Sequence, residues 1–544
     1  MFAKTHLLQY QKKNITFVIL CNIVKQTSIM NNLYPVGIQN FREIREGNYL
    51  YIDKTELIYR MVKTGKYYFL SRPRRFGKSL LVSTIEAYFL GQKDLFKGLA
   101  IEKLETEWKE YPVLHLDLNS KKYEDKLSPT AILNQHLEKW EQMYGDEKKD
   151  RSPEERFSYL IEKISITTGR NVVVLIDEYD KPMLQAIGND ELMDEYRNTL
   201  KAFYGVLKSS DQYLRFALLT GVTKFSKVSV FSDLNNLEDI SILRDYNNLC
   251  GITEKELLHY FPDEIKDLGE RNDMTYEEIC RKLKLWYDGY HFSSSPEGIY
   301  NPFSILNVMK SREFGSFWFE TGTPTFLVEL LKRSSYNLYS LTEEVAFADT
   351  LGGIDSMYTN PVPILYQSGY LTIKGYDKEF RTYNLGFPNR EVEDGFTRFL
   401  LPYYASIEPG KSSFQIISFV QDVRKGEINR FMTRLQSFFA DIPYELTRQL
   451  ELHYQNVLFI VFRLLGFYTE VEYHTSSGRI DMVVKTNDYI YVMEFKLEGT
   501  AEEAIKQIND KQYALPFASD GRKLIKVGVN FNNTIKGIEK WIIE

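Results

Sequence analysis

An apolar segment that runs straight into Gly77-Lys78-Ser79 constrains this chain more than any other feature. Residues 67–70 are Tyr, Tyr, Phe and Leu, a composition typical of a buried strand, and the residues after Ser79 favour a helix. In a Walker A loop of this kind, backbone N–H groups and the helix N-terminus surround the phosphates, Lys neutralises their charge, and Ser ligates Mg²⁺. We therefore expect Gly77, Lys78 and Ser79 to bind a nucleotide within an α/β fold built on a parallel sheet.

The loop departs from the usual phosphate-binding pattern at one position. A glycine is expected five residues before Gly77, and the chain has Arg72 there, followed by Pro73. Gly-Lys-Ser alone is also compatible with an ordinary turn that starts a helix. Arg72, Arg74 and Arg75 would add charge-assisted bonds to phosphate oxygens, or they would pair with acidic side chains nearby.

A second segment favours nucleotide binding. Residues 172–176 are all apolar and are followed by Asp177 and Glu178, as expected of a buried parallel strand that brings carboxylates to its C-terminal end. Read as a Walker B strand, it predicts that Asp177 holds Mg²⁺ through water and that Glu178 orients or deprotonates the attacking water. The alternative is a buried strand with a solvated acidic turn. Together the two segments predict ATP or GTP binding, with hydrolysis as a further hypothesis.

Two more segments, 113–118 and 214–221, have the composition of core strands in the same sheet. A polar group at a strand tip beside Walker B can sense the γ-phosphate. Thr220, with Thr223 and Lys224 behind it, is therefore a candidate sensor. The alternative for Thr220 is a hydroxyl that caps a helix or a turn.

A set of short motifs resembles the AAA-ATPase-like family of bacterial proteins. In that family the loop form Arg-Pro-Arg-Arg-Phe-Gly-Lys-Ser is usual, so the departure at Arg72 is shared with the apparent relatives. The resemblance covers most of residues 34–330 and implies ATP and Mg²⁺ as cofactors, but no settled substrate. The motifs that carry it are residues 34–41, 51–55, 72–79, 177–182, 220–225, 287–292, 301–304 and 321–324.

The C-terminal part carries a different chemistry. Residues 479–484 and 489–496 predict two neighbouring strands joined by a polar turn, so that Asp481 and Glu494 converge. In Glu494-Phe495-Lys496 the alternation of a strand places Glu494 and Lys496 on one face. Two carboxylates can hold a divalent metal that activates water, while Lys496 positions the nucleophile or neutralises negative charge. The alternative is a surface ion pair across an amphipathic hairpin.

This arrangement resembles the PD-(D/E)XK nuclease superfamily, and 451–513 resembles the nuclease-like domain often fused to the ATPase family. A helix predicted before the hairpin places Glu451 as an additional metal ligand or orienting acid. A helix predicted after it supplies Gln507 as a polar partner of the site. The resemblance implies nucleic acid as partner, DNA rather than RNA, and a role in defence or mobile-element biology.

Length and composition allow several domains. With 544 residues, 43% of them hydrophobic, the chain can build more than one core. We assign 1–29 to an extension outside the fold, 30–240 to the ATPase-like domain, 241–330 to a helical lid, 331–430 to a connecting module and 431–544 to the α/β nuclease-like domain. The connecting module is expected to be either winged-helix-like or a helical linker.

Charge and cysteine usage limit the remaining possibilities. The net charge of −6 argues against strong non-specific nucleic-acid binding by the whole molecule, although it allows a local basic groove. Cys21, Cys250 and Cys280 lack metal-ligand spacing and are expected to be free thiols in the cytoplasm. The apolar run within 1–29 is too short to span a bilayer, so no membrane association is expected. A homo-oligomer is possible.

The sequence thus predicts an ATPase with a helical lid joined to a metal-dependent nuclease-like domain. Two alternatives stay open. In one, the protein is a nucleotide-driven signalling or binding switch whose nuclease fold is catalytically inactive. In the other, it is a nuclease whose ATPase domain binds nucleotide without hydrolysis.

Overall fold

A computed structural model describes most of the chain from Leu33 onward. The predicted extension 1–29 and Cys21 lie outside the described residues. The described ranges are 33–120, 122–145, 147–225, 236–321, 326–351, 360–405, 409–440, 450–466, 468–476, 479–532, 534 and 537–544.

A five-stranded parallel sheet organises the first half of the chain. Its strands lie in the order β2-β3-β4-β1-β5. All six residues of β3 are buried, as expected of a parallel sheet covered on both faces. Since the strands are parallel, their C-terminal ends meet at one edge, and β4 lies between β1 and β3. The strands are β1 (Tyr67–Ser71), β2 (Val113–Asp117), β3 (Val172–Asp177), β4 (Leu214–Gly221) and β5 (Glu238–Asp239).

Helices surround this sheet, and local sequence signals mark their ends. Ser152 and Glu155 form a capping box at the start of Pro153–Thr168, and Gly169 ends that helix at φ +65°. Stacked rings of Phe157 and Phe203, 4.4 Å apart, join two helices on one side of the sheet. The helices are Phe41–Glu46, Thr55–Thr64, Lys78–Phe89, Ile101–Leu104, Ser128–Tyr144, Pro153–Thr168, Lys181–Gln185 and Asp190–Ser209.

A group of helices with its own core follows the sheet, where the sequence predicts a lid. Leu257, Phe261, Ile265, Leu283 and Val308 are buried in that core. Two short strands, β6 (Ile252–Thr253) and β7 (Ile299–Tyr300), pair antiparallel within it. The helices of this group are Glu254–Tyr260, Pro262–Arg271, Tyr276–Tyr287 and Pro302–Ser311. The helices Phe317–Glu320 and Phe326–Arg333 follow, and their buried residues Trp318 and Leu327 belong to the main core.

The connecting region combines a small antiparallel sheet with helices. The strands β8 (Glu344–Phe347), β9 (Thr372–Asp377) and β10 (Thr382–Gly386) pair in the order β8-β10-β9. A purely helical linker is therefore wrong for this region. Its helices are Ala348–Leu351, Val362–Gln367, Arg390–Ala405, Pro409–Lys425 and Ile428–Ala440.

A second five-stranded sheet forms the C-terminal domain. Its order is β11-β12-β13-β14-β15, with β13 and β14 parallel and the other pairs antiparallel. The predicted hairpin is confirmed as β12 and β13. A parallel pair needs a crossover, and the helix Ala501–Asp510 provides it between β13 and β14. The strands are β11 (Glu470–Ser476), β12 (Arg479–Lys485), β13 (Tyr489–Lys496), β14 (Lys523–Asn532) and β15 (Gly537–Ile543), and the helix Leu450–Gly466 precedes them.

The two sheets confirm the predicted α/β fold class of a P-loop NTPase sheet followed by a nuclease-like domain. The domain boundaries drawn from the sequence stay predictions. In the part of the chain that the structure describes, no helix is long and apolar enough to cross a membrane. Cys250 is buried, Cys280 is half-buried, and both are free thiols.

Gly528 determines how closely the crossover helix Ala501–Asp510 approaches β14. A Cβ at this position would lie 2.5 Å from the carbonyl oxygen of Ala501 and 2.7 Å from the amide nitrogen of Ile505. We expect Gly528→Ala to lower the free energy of unfolding by about 1–3 kcal/mol, because backbone must shift to admit the methyl group. Gly521→Ala is the matched control, since nothing lies within 4 Å of its added Cβ. Equal stabilities of the two variants in chemical denaturation would contradict this prediction.

Candidate functional site

The phosphate-loop residues are arranged around a buried lysine. Gly77 caps the helix Lys78–Phe89 with φ +92°, a conformation that favours glycine. The Lys78 side chain is 3% exposed. Its Nζ donates to the carbonyl oxygens of Arg72 (3.1 Å) and Pro73 (3.4 Å) and lies 3.6 Å from Oε1 of Glu178. The positive charge predicted to face phosphate is therefore held at the centre of the loop, beside Glu178.

A cleft of about 570 Å³ opens beside this lysine. Ser79 and Glu178 line it, as do Arg74 and Arg75. The connecting region contributes a wall as well, which the sequence did not predict. The lining also includes Pro35, Ile38, Gln39, Asn119, Lys181, Gln185, Thr223, Pro302, Phe303, Leu306, Thr321, Ile364, Ser368 and Tyr370.

Asp177 and the predicted sensor Thr220 contact each other. Thr220 is fully buried on β4, and its hydroxyl donates to Oδ1 of Asp177. Asp177 also accepts the backbone N–H of Glu178 at 3.1 Å. Neither Thr220 nor Asp177 is among the residues that line the described cleft. The hydroxyl of Thr220 thus orients Asp177 and does not cap a helix or a turn. Its predicted role as a phosphate sensor stays a prediction.

Glu178 has a backbone conformation that is uncommon for its residue type. Its φ is +54°, in the left-handed region, and its carboxylate lines the cleft beside Lys78. Such conformations cluster at functional sites, where the surrounding structure maintains them. The carboxylate thus lies at the cleft beside Lys78, and its predicted action on the attacking water stays a prediction.

A buried carboxylate ties the end of β4 to the Walker B segment. Asp180 is fully buried and accepts the backbone N–H groups of Val222 (3.1 Å) and Thr223 (2.6 Å) and the Thr223 hydroxyl (2.6 Å). Burial, together with the charge of Glu178, raises the pKa of Asp180 from 3.8 to about 6. Gly221 is required here, because an added Cβ would lie 2.6 Å from Oδ1 of Asp180.

The prediction that Arg72 binds phosphate is wrong. This side chain is 1% exposed and points away from the cleft. Its guanidinium donates to the carbonyl oxygens of Ser241 (2.7 Å) and Tyr246 (3.1 Å) and lies 4.2 Å from the centre of the Phe292 ring. The alternative pairing with an acid is wrong too, since these partners are carbonyls and a ring. Arg72 therefore joins the phosphate loop to the start of the lid.

The other two arginines of the loop reach the cleft and lie over aromatic rings. The guanidinium of Arg74 is 4.9 Å from the centre of the Trp318 ring, and that of Arg75 is 5.1 Å from the centre of the Phe303 ring. Cation–π contacts of this kind stabilise a guanidinium without an acidic partner. Both groups are therefore placed where a phosphate could compete for them.

In the C-terminal sheet, the structure brings three of the predicted side chains together. Glu494 on β13 is fully buried, and its Oε1 lies 3.3 Å from Nζ of Lys496. Nζ of Lys496 also donates to the amide oxygen of Gln507 on the crossover helix. Glu494 is fully buried and the Lys496 side chain is 16% exposed, so the alternative of a surface pair does not apply. Gln507 is the polar partner that the sequence predicts.

Asp481 lies directly opposite Glu494 in the antiparallel pairing of β12 and β13. Residues opposite each other in this way share a sheet face, with Cβ atoms about 5 Å apart. The side chains of Asp481 and of Glu451 lie outside the described residues, so their predicted roles stay predictions. Among the described side chains, no three His, Cys, Asp or Glu groups are arranged to hold a metal ion.

Several residues of the cleft escaped the sequence analysis. Asn119 follows β2, whose last residue pairs with Asp177 of Walker B. Lys181 begins the helix after Walker B. The sequence did contain an indication of their role, because most of these residues fall within or near the motifs at 34–41, 177–182 and 301–304. The residues of the connecting region, such as Tyr370, had no such indication.

Comparison with known proteins agrees with this geometry. The family model described as predicted AAA-ATPase matches residues 35–231, and the PD-(D/E)XK nuclease superfamily model matches 449–541. An uncharacterised protein from the vnfD 5′ region of Azotobacter chroococcum mcd 1 is 36% identical over 520 residues. The alignment covers 94% of this chain and 98% of that relative.

Fold, site geometry and matches define the class of the protein as nucleotide-binding and nuclease-like. The chain belongs to the AAA-ATPase-like family and carries a C-terminal PD-(D/E)XK nuclease superfamily domain. The predicted resemblance to both families is thereby confirmed.

The buried guanidinium of Arg72 generates a stability prediction. Arg72→Met keeps the aliphatic part of the side chain but leaves the carbonyls of Ser241 and Tyr246 without their donors. We expect a loss of about 2–4 kcal/mol in the free energy of unfolding, measured by chemical denaturation. Arg75→Met is the control, because Arg75 is exposed, and it should change stability by less than about 0.5 kcal/mol. Equal effects of the two substitutions would argue against a structural role for Arg72.

The raised pKa of Asp180 predicts a pH dependence of stability. Because its pKa rises from 3.8 to about 6, the folded protein binds the proton more tightly than the unfolded chain. The resulting contribution to the free energy of unfolding is roughly 1–3 kcal/mol. It is complete below about pH 4 and is lost as the pH rises to about 6. Denaturation of the parent and of Asp180→Asn across this range should show the difference in stability falling with pH. A difference that stays constant would refute the prediction.

Proposed function

We propose that this protein binds and hydrolyses ATP with Mg²⁺ and that its C-terminal domain is a metal-dependent nuclease. The observation that carries the proposal is that residues from different elements meet at each of the two sites. Lys78 and Glu178, from separate segments, meet at one cleft, and Glu494, Lys496 and Gln507 meet on the second sheet. Sequence proximity brings neither Glu178 to Lys78 nor Gln507 to Lys496, since each of these pairs joins different elements.

The cleft fits a nucleoside triphosphate and its Mg²⁺. Lys78 holds an ammonium group at the loop centre, and nothing lies within 4 Å of an added Cβ at Gly77, which leaves the backbone accessible. In our proposal the Ser79 hydroxyl ligates the ion, and Asp177, oriented by Thr220, holds it through water. When bound, Mg²⁺ neutralises charge on the phosphates. Glu178 then orients water and accepts its proton at a carboxylate beside Lys78.

The second site fits a divalent metal by the chemistry of its donors. We propose that the carboxylates of Glu494 and Asp481 hold the ion, with Glu451 as an additional acid, since Mg²⁺ and Mn²⁺ prefer oxygen ligands. A metal bound there would supply an activated water and stabilise charge on the phosphate. Lys496 places a positive charge within 3.3 Å of Glu494, and Gln507 fixes its Nζ. Lys496 would therefore orient the nucleophile or neutralise developing charge.

The substrate that we propose is nucleic acid, DNA rather than RNA, in defence or mobile-element biology. Membership of the two families is what supports this part of the proposal. Since the net charge is −6, binding should rely on a local contact and weaken steeply with salt.

The ATPase proposal predicts that two substitutions separate binding from hydrolysis. Lys78→Ala should weaken ATP binding by about tenfold or more, because charge-assisted bonds contribute about 1.5–3 kcal/mol. Glu178→Gln should retain ATP binding but lower the hydrolysis rate by about 100-fold or more, since it removes the proposed base. Calorimetric titration and phosphate release measure the two effects. Hydrolysis at the parental rate in Glu178→Gln would remove Glu178 from the mechanism.

The nuclease proposal is tested with single- and double-stranded DNA and RNA, in Mg²⁺ or Mn²⁺, with and without ATP. We expect metal-dependent cleavage that falls about 100-fold or more in Lys496→Ala. Lys511→Ala is the control, because Lys511 is an exposed lysine of the same domain. The absence of cleavage by the parent chain with either metal would overturn the nuclease proposal in favour of a signalling or binding switch.

A further inference from the structure

Arg74 connects the nucleotide cleft to the lid through Trp318. The guanidinium lies over the indole ring, and the indole Nε1 donates to the carbonyl oxygen of Arg74 at 3.0 Å. Trp318 is fully buried. The Arg74 guanidinium also makes a long contact of 3.5 Å with the Tyr370 hydroxyl, on the wall that the connecting region contributes. A change in the position of Arg74 would therefore alter contacts with two elements outside the ATPase sheet.

Trp318 is in turn bound to a buried acid. The backbone N–H of Trp318 donates to Oε1 of Glu391 at 2.7 Å, and the hydroxyl of Ser304 donates to Oε2 at 2.7 Å. Ser304 follows Phe303, which lines the cleft beneath Arg75. Glu391 is 1% exposed, and burial raises its pKa to about 8. One carboxyl group thus holds two segments of the lid that border the nucleotide cleft.

Glu391 lies in the first turn of a helix that reaches the nuclease-like domain. The helix Arg390–Ala405 packs against Leu450–Gly466. An ion pair of 3.2 Å between Glu393 and Arg463 joins the two helices. The second helix carries Phe462, whose ring centre is 5.7 Å from that of Phe495 on β13. Phe495 stands between Glu494 and Lys496 in the sequence, so contacts between side chains lead from the phosphate loop to the strand that carries the second site.

We propose that a nucleoside triphosphate in the cleft draws Arg74 away from Trp318 and thereby changes the packing of the helix Leu450–Gly466 beneath the strand of Glu494 and Lys496. The proposal rests on the proposed ATP binding and names the regulation of the second site. A ligand shifts a conformation only if it binds the two arrangements differently. Arg74 provides that difference, because bonds from a guanidinium to phosphate are stronger than its contact with an indole ring.

Hydrogen exchange in the full-length protein tests this coupling. Amide exchange is measured by mass spectrometry with Mg²⁺ alone and with Mg²⁺ and saturating AMP-PNP, after calorimetry has established the concentration that saturates each variant. In the parent we expect exchange in Leu450–Gly466 to change about fivefold or more, a size typical of coupling between sites. Because the readout is not cleavage, it works whether or not a nucleic-acid substrate is known.

Two arginine variants provide a matched comparison. Arg74→Met and Arg75→Met each remove one guanidinium from the cleft, but only Arg74 contacts Trp318. At saturating AMP-PNP, Arg74→Met should lose the response of Leu450–Gly466, and Arg75→Met should keep it. Trp318→Phe, which retains a ring but lacks the Nε1 donor, should weaken the response. Thermal melts establish that each variant is folded before it is compared.

The outcomes separate the inference from the function on which it rests. If the parent binds AMP-PNP and exchange in Leu450–Gly466 does not change, the coupling is overturned and nucleotide binding stands. If both arginine variants lose the response equally, or both keep it, Arg74 and Trp318 are not the route. If the parent binds neither ATP nor AMP-PNP, the proposed function and the coupling fail together.

Discussion

The burial of charged side chains is the constraint on which both sites depend. Arg72, Lys78, Asp180 and Glu494 are all nearly inaccessible to water. A buried charge is strongly destabilising unless it is hydrogen-bonded or paired, so the position of each of these groups determines where its neighbours lie. In the ATPase-like domain the partners are backbone groups of loops. Those loops are therefore held in place by the charges that they surround.

Residues of the same type within one segment therefore have different roles in the structure. Of the three arginines in the phosphate loop, Arg72 is internal and joins the loop to the lid, while Arg74 and Arg75 lie over rings at the cleft. The two acids Asp177 and Asp180 hold opposite ends of the turn after β4 through Thr220 and Thr223. The chemistry proposed for the cleft is thus supported in part by residues that do not line it, namely Arg72, Asp177, Asp180 and Thr220.

The connecting region is the part of the molecule whose role differs most from what the sequence indicated. It was the least informative part of the sequence, yet Ile364, Ser368 and Tyr370 form part of the nucleotide cleft. Gln367 also accepts the backbone N–H of Lys224, just after the β4 turn, at 2.6 Å. The region therefore contacts the nucleotide cleft at one end and the nuclease-like domain at the other. A connection of this kind gives nucleotide binding a physical means of affecting the second site.

Much of the fold and of both sites was predictable from local patterns. β3, β4 and the hairpin of β12 and β13 lie where the sequence predicts them, because apolar runs and alternation report burial directly. The contact of Lys496 with Gln507 was also predictable, because the sequence predicts the strand and the helix that carry them in the correct order. The roles of Arg72 and Thr220 were not, because the direction in which a loop side chain points depends on distant carbonyls and carboxylates.

The sequence by itself determined which two families the chain resembles, since several motifs in the expected order carry both resemblances, among them Gly77-Lys78-Ser79, Asp177-Glu178 and Glu494-Phe495-Lys496. The tertiary structure alone decided which charged groups face the cleft and which are internal. It also decided that Trp318 and Glu391 lie between the two domains. The physical reason is that burial and partner choice arise from contacts between segments hundreds of residues apart, such as the bond between Trp318 and Arg74 across 244 positions.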